Sequence, residues 1–266
     1  MKENKITVND IIKKKGKEKI VAITAYDALI AEIEDKIGFD IILVGDSVSN
    51  TLLGNEDTLR VSMDEMIIFA KAVSKKAERA LLVGDMPFMS YQISKEKALE
   101  NASRFIREGY MDAVKIEGGK EFKETIEFII KSGIPVLGHI GLTPQFYLSF
   151  GGFKVKGKKE EERKKLLEDA KCLEEIGVFA IVLEGIYEDL AKEITENVKI
   201  PTIGIGAGRY CDGQILVVYD ILGLTPSPYP KFVKNYLNLR EIIEKALSEY
   251  KKEVIEGKYP DERHIY

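Results

Sequence analysis

The sequence predicts a single-domain (β/α)8 TIM barrel, class α/β, and two observations carry that prediction. First, eight short apolar runs alternate with amphipathic helical stretches along a chain of 266 residues, the pattern of parallel strands wrapped by helices. Second, five of those runs end in an ionisable residue: Asp46, Asp85, Glu117, His139 and Glu184. An apolar run such as Phe39-Asp-Ile-Ile-Leu-Val-Gly-Asp46 reads as a strand buried on both faces. In a closed parallel ring the C-terminal ends of the strands share one rim, so groups scattered along the chain become neighbours. A doubly wound sheet is the alternative. It usually has fewer strands and one switch point, whereas polar tips after most strands suit a ring.

The expected strands are 20–24, 40–45, 81–84, 113–117, 135–138, 179–183, 202–205 and 215–218. Between them, Ser62-Met-Asp-Glu65 is a capping box and predicts a helix to about Lys76. Ser94 is a cap for a helix reaching Glu108. Gly38, Gly109, Gly133 and Gly177 each follow an amphipathic stretch, where a left-handed residue ends a helix. In Val114-Lys-Ile-Glu117, strand alternation turns Lys115 and Glu117 into the barrel. A buried lysine there needs an opposite charge or a bound anion. Loops 47–61 and 143–158 are candidate lids or substrate walls. A Pro-rich turn (Pro226, Pro228, Pro230) leads into a tail with a helix near 239–256. No composition break marks a linker, so residues 1–266 are read as one barrel domain with a short N-terminal helix and a C-terminal helical tail.

The net charge of -4 and pI of about 5.6 offer no nucleic-acid surface. No apolar stretch approaches the ~20 residues of a membrane span. The polar start Met1-Lys-Glu-Asn-Lys5 lacks an apolar signal region. Cys172 and Cys211 have no metal-site spacing and read as reduced thiols. Together these favour a soluble cytoplasmic protein. The charged fraction of 32%, rich in lysine, fits a hot habitat or a biased genome equally.

Four carboxylates and an imidazole on one rim point to metal-assisted acid/base chemistry. Gly45-Asp46-Ser47 and Gly84-Asp85 repeat one design, and each aspartate alone is as well explained as a helix or turn cap. With Glu117 on a third strand they become an oxygen-only set suited to Mg²⁺ rather than zinc. His139 is one of two histidines and is placed to polarise a carbonyl, act as acid or base, or ligate metal, the bland alternative being a histidine that is only hydrogen-bonded. Glu184 is the candidate general base, its rim position offering a route to a raised pKa. Its bland alternative is a partner for a nearby lysine. Gly204-Ile-Gly-Ala-Gly208 lies where barrels often cradle phosphate, but it is a poor dinucleotide fingerprint.

Several motifs in one order then resemble the ketopantoate hydroxymethyltransferase family. They are Thr24-Ala-Tyr-Asp27, Leu43-Val-Gly-Asp-Ser47, Asp85-Met-Pro-Phe-Met-Ser-Tyr91, Val114-Lys-Ile-Glu-Gly-Gly119, Gly138-His-Ile-Gly-Leu-Thr-Pro-Gln145 and Gly151-Gly-Phe-Lys-Val155. Val182-Leu-Glu184, Gly204–Gly208, Asp212-Gly-Gln-Ile-Leu-Val217 and Pro230-Lys-Phe-Val-Lys-Asn-Tyr236 follow. The resemblance implies a (β/α)8 barrel and Mg²⁺-dependent hydroxymethyl transfer in pantothenate and coenzyme A biosynthesis. The donor would be 5,10-methylenetetrahydrofolate, the acceptor 3-methyl-2-oxobutanoate and the product 2-dehydropantoate, through a Mg-stabilised enolate. It further implies Asp46 and Asp85 as metal ligands with Glu117 in the coordination sphere. Asp46, Ser47, Asp85 and Lys115 would contact the keto acid, and Glu184 would accept the proton. His139 is placed beside the substrate in a supporting role. A homodecamer is the implied assembly.

The chain departs from the family pattern at Ser49-Asn50, at Glu56-Asp57 and at Gly185-Ile186, which bears on the loop after the second strand more than on the reaction. Three other readings remain open at this stage. One is a Mg²⁺-dependent lyase or mutase acting on an oxaloacetate-like substrate, another a class I aldolase using Lys115. The third is an inactive relative that only binds keto acids.

Overall fold

The computed structural model describes residues 5–152 and 155–266. Residues 1–4, which hold most of the polar start, and Phe153 and Lys154 of the Gly151–Val155 motif lie outside that description. Among the described residues the chain divides into two compact units, Met1–Val217 and Val218–Tyr266.

The first unit is a closed ring of eight parallel strands in sequence order. They are β1 (Ile20–Thr24), β2 (Ile41–Val44), β3 (Leu81–Asp85), β4 (Ala113–Glu117), β5 (Val136–Gly141), β6 (Ala180–Glu184), β7 (Thr202–Ile205) and β8 (Gly213–Leu216). In chain order the helices are α1 (Val8–Lys13), α2 (Ala28–Ile37), α3 (Val48–Thr51), α4 (Met63–Ser74), α5 (Lys95–Arg107), α6 (Lys123–Lys131), α7 (Tyr147–Phe150), α8 (Glu160–Glu175) and α9 (Glu188–Asn197). The ring closes because β1 pairs with both β2 and β8. Its lower interior is apolar: Ile20, Ile41, Leu81, Leu137, Ile203 and Ile215 meet there, and Ile11 of α1 is buried in the same cluster. Excluding water from that cluster drives closure.

The predicted helix signals act as expected at Ser62, where both halves of the capping box form, and at Ser94, which accepts from the Lys97 N–H. Gly38, Gly133 and Gly177 take left-handed φ, but Gly109 does not; Tyr110 does, at φ 57°. Position 109 needs glycine for a different reason. A Cβ there would lie 2.8 Å from the Phe105 carbonyl oxygen and 2.9 Å from Ala70. The last strand begins at Gly213, two residues before its predicted start. Gly213 looks like a turn residue in sequence, yet it lets β8 approach the Ile20 backbone, where a Cβ would sit 2.5 Å from the carbonyl oxygen. His139 lies inside β5 rather than at its end, and Asp46 lies two residues past β2.

The second unit holds α10 (Val218–Ile221), the Pro-rich turn and α11 (Leu239–Ile255), close to the predicted 239–256. Asn238 caps α11 by accepting from the Glu241 N–H.

Candidate active site

Strand register sets the site. Parallel pairing places Asp85 beside Lys115, Glu117 beside His139, and Glu184 beside Gly141 and Ile205. Because side chains alternate, Ala113, Lys115 and Glu117 all face inward, as do Val83 and Asp85, and Leu137 and His139. The barrel interior thus changes from apolar to ionisable within two residues on each of these strands.

The six predicted rim groups do meet. Lys115 Nζ lies 2.9 Å from Asp85 Oδ1 and 3.6 Å from Glu117 Oε1. It also lies 3.2 Å from His139 Nδ1. The other ring nitrogen, Nε2, is 3.1 Å from the Leu142 carbonyl oxygen and 3.3 Å from Glu184 Oε2. An imidazole with the proton on Nε2 donates toward these oxygens and leaves Nδ1 to accept from the lysine. The Asp46 N–H donates to Asp85 Oδ2 at 3.0 Å. Ser47 Oγ and the Tyr26 hydroxyl share a hydrogen bond of 2.7 Å. Asp46, Asp85, Lys115, Glu117 and His139 are buried, and the Glu184 side chain keeps 19% exposure. They line a cavity of about 110 Å3 at the barrel mouth, with Ser47, Thr58 and Pro144 as walls from the two long loops. Those loops are tied together where the Tyr147 hydroxyl donates to Asp57 Oδ2 at 3.0 Å. A larger cavity of about 300 Å3, lined by Gly119, Lys156 and Asp169 among others, contains none of the six rim groups, so the chemistry is placed at the smaller one.

Burial dominates the electrostatics. It lifts the Glu184 carboxyl to about 8, with Lys115 opposing and Asp85 assisting. Burial also lifts Glu117 to about 8, again against the pull of Lys115. Asp46 is raised well above the carboxylate range by burial and then by Asp85 and Glu117. His139 is pushed well below its ordinary value by burial and by the Lys115 charge, which keeps it neutral. For Lys115 burial acts the other way, but Asp85, Glu117 and Asp46 outweigh it and the ammonium is held charged.

A divalent cation fits this donor set on two grounds. The donors are all hard carboxylate oxygens. And one buried oxygen, Glu117 Oε1, accepts no hydrogen bond among the described residues, its nearest cation being Lys115 Nζ at 3.6 Å, while Asp85 Oδ1 faces the Lys115 ammonium at 2.9 Å. No three His, Cys, Asp or Glu side chains among the described residues already converge as a closed metal cage. Mg²⁺ seldom uses one; it is typically held by one or two carboxylates, with waters and substrate oxygens completing its shell.

Sequence reasoning missed two further members, Tyr91 and Gln145. Both lie in motifs quoted above, but neutral polar side chains on loops carry no charge signal. Gln145 Nε2 donates to Asp46 Oδ2 at 3.0 Å, and the Gln145 N–H donates to Glu117 Oε2 at 3.1 Å. The glycine-rich loop after β7 is not an open phosphate cradle. Glu188 fills the space beside Gly208 and accepts from the Arg209 N–H at 3.2 Å.

A closed parallel barrel carrying buried carboxylates, a charged lysine and a neutral imidazole at its C-terminal rim defines a barrel enzyme built for acid/base chemistry at one small ligand. The chain belongs to the ketopantoate hydroxymethyltransferase family, whose model matches residues 5–262. It is 57% identical over 261 residues to the 3-methyl-2-oxobutanoate hydroxymethyltransferase of Thermotoga neapolitana, covering 98% of this chain and 96% of that protein. The enzyme of the same name from Sulfolobus acidocaldarius is 52% identical over the same shares of the two chains. Among solved structures, phosphoenolpyruvate phosphomutase from Streptomyces platensis aligns with a TM-score of 0.62 at 15% identity, over 98% of this chain and 92% of that one. A 2,3-dimethylmalate lyase aligns at 0.60 and 14%, over 97% and 91%. At such identities these two share the fold alone.

Proposed function

We propose that the protein transfers a hydroxymethyl group from 5,10-methylenetetrahydrofolate to 3-methyl-2-oxobutanoate, giving 2-dehydropantoate for pantothenate and coenzyme A synthesis. The observation that carries this is Glu184. Its carboxyl is raised to about 8 at the mouth of a cavity whose floor is a charged lysine among carboxylates. The reaction must remove a weakly acidic proton from the carbon beside a ketone, and a carboxylate with a raised pKa is a competent base for it.

The residues divide the work. Lys115 and Ser47 hold the substrate carboxylate, which fixes the angle at which the C–H bond meets Glu184. His139, bonded toward Glu184 through Nε2, keeps that carboxylate aimed inward. Asp46 and Asp85, with Glu117 beside them, would hold Mg²⁺, which when bound supplies positive charge to the keto oxygen as the proton leaves. The carbon that loses its proton forms the new C–C bond to the folate methylene carbon, and both C–N bonds from that carbon to the folate break. Water provides the hydroxyl oxygen, and the two freed nitrogens take up the proton removed from the keto acid and one proton of the water, leaving tetrahydrofolate. Glu184, now protonated, is the group that can return a proton. The cytoplasm and a homodecamer remain the expected setting, the second checked by light scattering. Among the described residues no helix is long and apolar enough to cross a membrane.

The Schiff-base alternative needs a neutral lysine, and the carboxylates around Lys115 favour the ammonium. The lyase reading needs an acid/base residue on a mobile loop, often a cysteine, but Cys211 is fully buried. The deciding assay supplies both substrates with Mg²⁺ or with excess EDTA. Metal-dependent 2-dehydropantoate supports the proposal. Exchange of the C3 proton of the keto acid without any folate-dependent product would shift the reading to the lyase class.

A further inference from the structure

We propose that Gln145 is a positioning residue for the cation-binding carboxylates, and that through it the loop after β5 reports whether that site is filled. The inference rests on the cation site proposed above.

The geometry is specific to this side chain. Its amide Nε2 donates to Asp46 Oδ2 at 3.0 Å and to the Met86 carbonyl oxygen at 2.9 Å. Its Oε1 accepts from the Tyr91 hydroxyl at 3.0 Å and from Gln92 Nε2 at 3.2 Å. Two N–H groups and two lone pairs are the whole capacity of an amide, and all four are used. A flipped amide would aim its oxygen at two acceptors, the Asp46 carboxylate and the Met86 carbonyl, so the network leaves one orientation. The same residue's main-chain N–H donates to Glu117 Oε2 at 3.1 Å. One residue therefore holds two carboxylates, one from the turn after β2 and one from strand β4, each by one oxygen. Glu117 Oε1 is left buried without a hydrogen bond among the described residues. Gln145 is only 2% exposed, so water does not substitute for these contacts.

Two consequences follow. Asp46 and Glu117 repel each other, and uncharged donors on their outer oxygens hold them apart without adding a cation that would compete with the metal. And Gln145 sits in the turn Pro144–Phe146, immediately before α7, where Tyr147 reaches Asp57 in the other wall loop. Ordering of Asp46 and Glu117 by a cation is thereby linked to ordering of both walls of the cavity.

The test uses the full chain, stripped with chelator, and Mn²⁺ alone, whose binding is followed by electron paramagnetic resonance without turnover. Gln145→Met keeps the volume and removes every side-chain hydrogen bond. Its Mn²⁺ affinity is expected to fall 10–100-fold, the usual cost of losing an outer-shell partner. Tyr91→Phe, which releases the amide oxygen and also the Glu117 main-chain carbonyl that the same hydroxyl meets at 3.0 Å, is expected to weaken it several-fold and serves if Gln145→Met fails to fold. In turnover, KM for the keto acid rises more than kcat falls, because the base is untouched. Protease cleavage within 143–158 is expected to slow on Mn²⁺ addition in the parent and not in Gln145→Met. Parent-like Mn²⁺ affinity in a folded Gln145→Met, or in Tyr91→Phe where Gln145→Met does not fold, overturns the inference. Absence of Mn²⁺ binding by the parent would instead overturn the cation site on which it rests.

Discussion

Aspartates stand at both ends of this barrel, and their partners differ completely. At the bottom, Asp40, Asp112 and Asp212 each immediately precede a strand. Asp40 accepts from the Val21 N–H at 2.9 Å and pairs with Lys14 at 2.7 Å. Asp112 accepts from the Leu82 N–H at 2.8 Å and pairs with Lys5 at 2.7 Å. Asp212 accepts from the Gly16 and Thr202 N–H groups at 3.0 and 2.9 Å and pairs with Lys15 at 2.8 Å. At the top, Asp46, Asp85, Glu117 and Glu184 crowd around one lysine, and Glu117 Oε1 is buried with no hydrogen bond among the described residues. Residue type and strand adjacency are the same; the completeness of hydrogen bonding separates a carboxylate that holds the fold from one that awaits a ligand. Asp212, though buried, is held below the ordinary range because Lys15 and the backbone donors outweigh burial, whereas burial wins at Asp46, Glu117 and Glu184.

The contrast can be broken at four places, in decreasing order of expected effect. Glu184→Gln removes the proposed base: kcat/KM is expected to fall by about 10²–10⁴-fold. In the parent the rate should drop as pH falls through about 8, where Glu184 takes up its proton, and the mutant's residual rate should lose that limb. The stability sign is opposite. A carboxyl raised from 4.5 to about 8 stabilises the fold fully below 4.5, and that contribution is lost as pH rises through 8. Glu184→Gln should therefore melt higher than the parent at pH 9; a lower melting temperature there would refute the assignment of burial as the cause.

Lys115→Met leaves the top carboxylates without a counter-charge, and about 3–5 kcal/mol of stability should go with it, measured by denaturant unfolding near neutral pH. Adding Mg²⁺ should restore part of that loss if the carboxylates can exchange one cation for another. At the bottom, Asp212→Asn should cost about 1.5–3 kcal/mol near neutral pH and leave KM for the keto acid unchanged. Its lowered pKa means the parent's advantage is present above 3.8 and lost as pH falls further, so the two proteins should converge in acid. A large change in KM would show that the two ends are not separable.

Glu34 sharpens the rule from outside the barrel interior. It lies on α2, 3% exposed, with both carboxyl oxygens buried and unbonded among the described residues, and burial followed by Asp27 lifts it to about 9. Unlike Asp85 and Glu117 it has no lysine ion pair among the described residues. Glu34→Met should stabilise the fold by on the order of 1–2 kcal/mol at pH 8, do so less at pH 5, and leave turnover as it is. Loss of activity in this variant would mean the carboxylate is used.

The alternation of apolar runs with helical stretches was enough to read the barrel, because a strand sandwiched between ring interior and helices must be apolar on both faces. The ionisable tips of those runs named the carboxylates and the imidazole that meet at the rim, and alternation within Val114–Glu117 added Lys115, since a charge at the end of a buried strand is visible one residue at a time. Local chemistry also announced the caps at Ser62 and Ser94. What the tertiary structure alone decided was everything set by close approach between distant segments. Gly109 and Gly213 are glycines because other backbones and side chains press on them, not because of their φ. Gln145 and Tyr91 belong to the site because the loop after β5 folds back over the rim and brings an amide within 3.0 Å of a carboxylate 99 residues earlier in the chain. Hydrogen-bond satisfaction is likewise a property of the folded neighbourhood. The sequence shows aspartates beside strands at both ends of the barrel, and only packing determines which of them find donors.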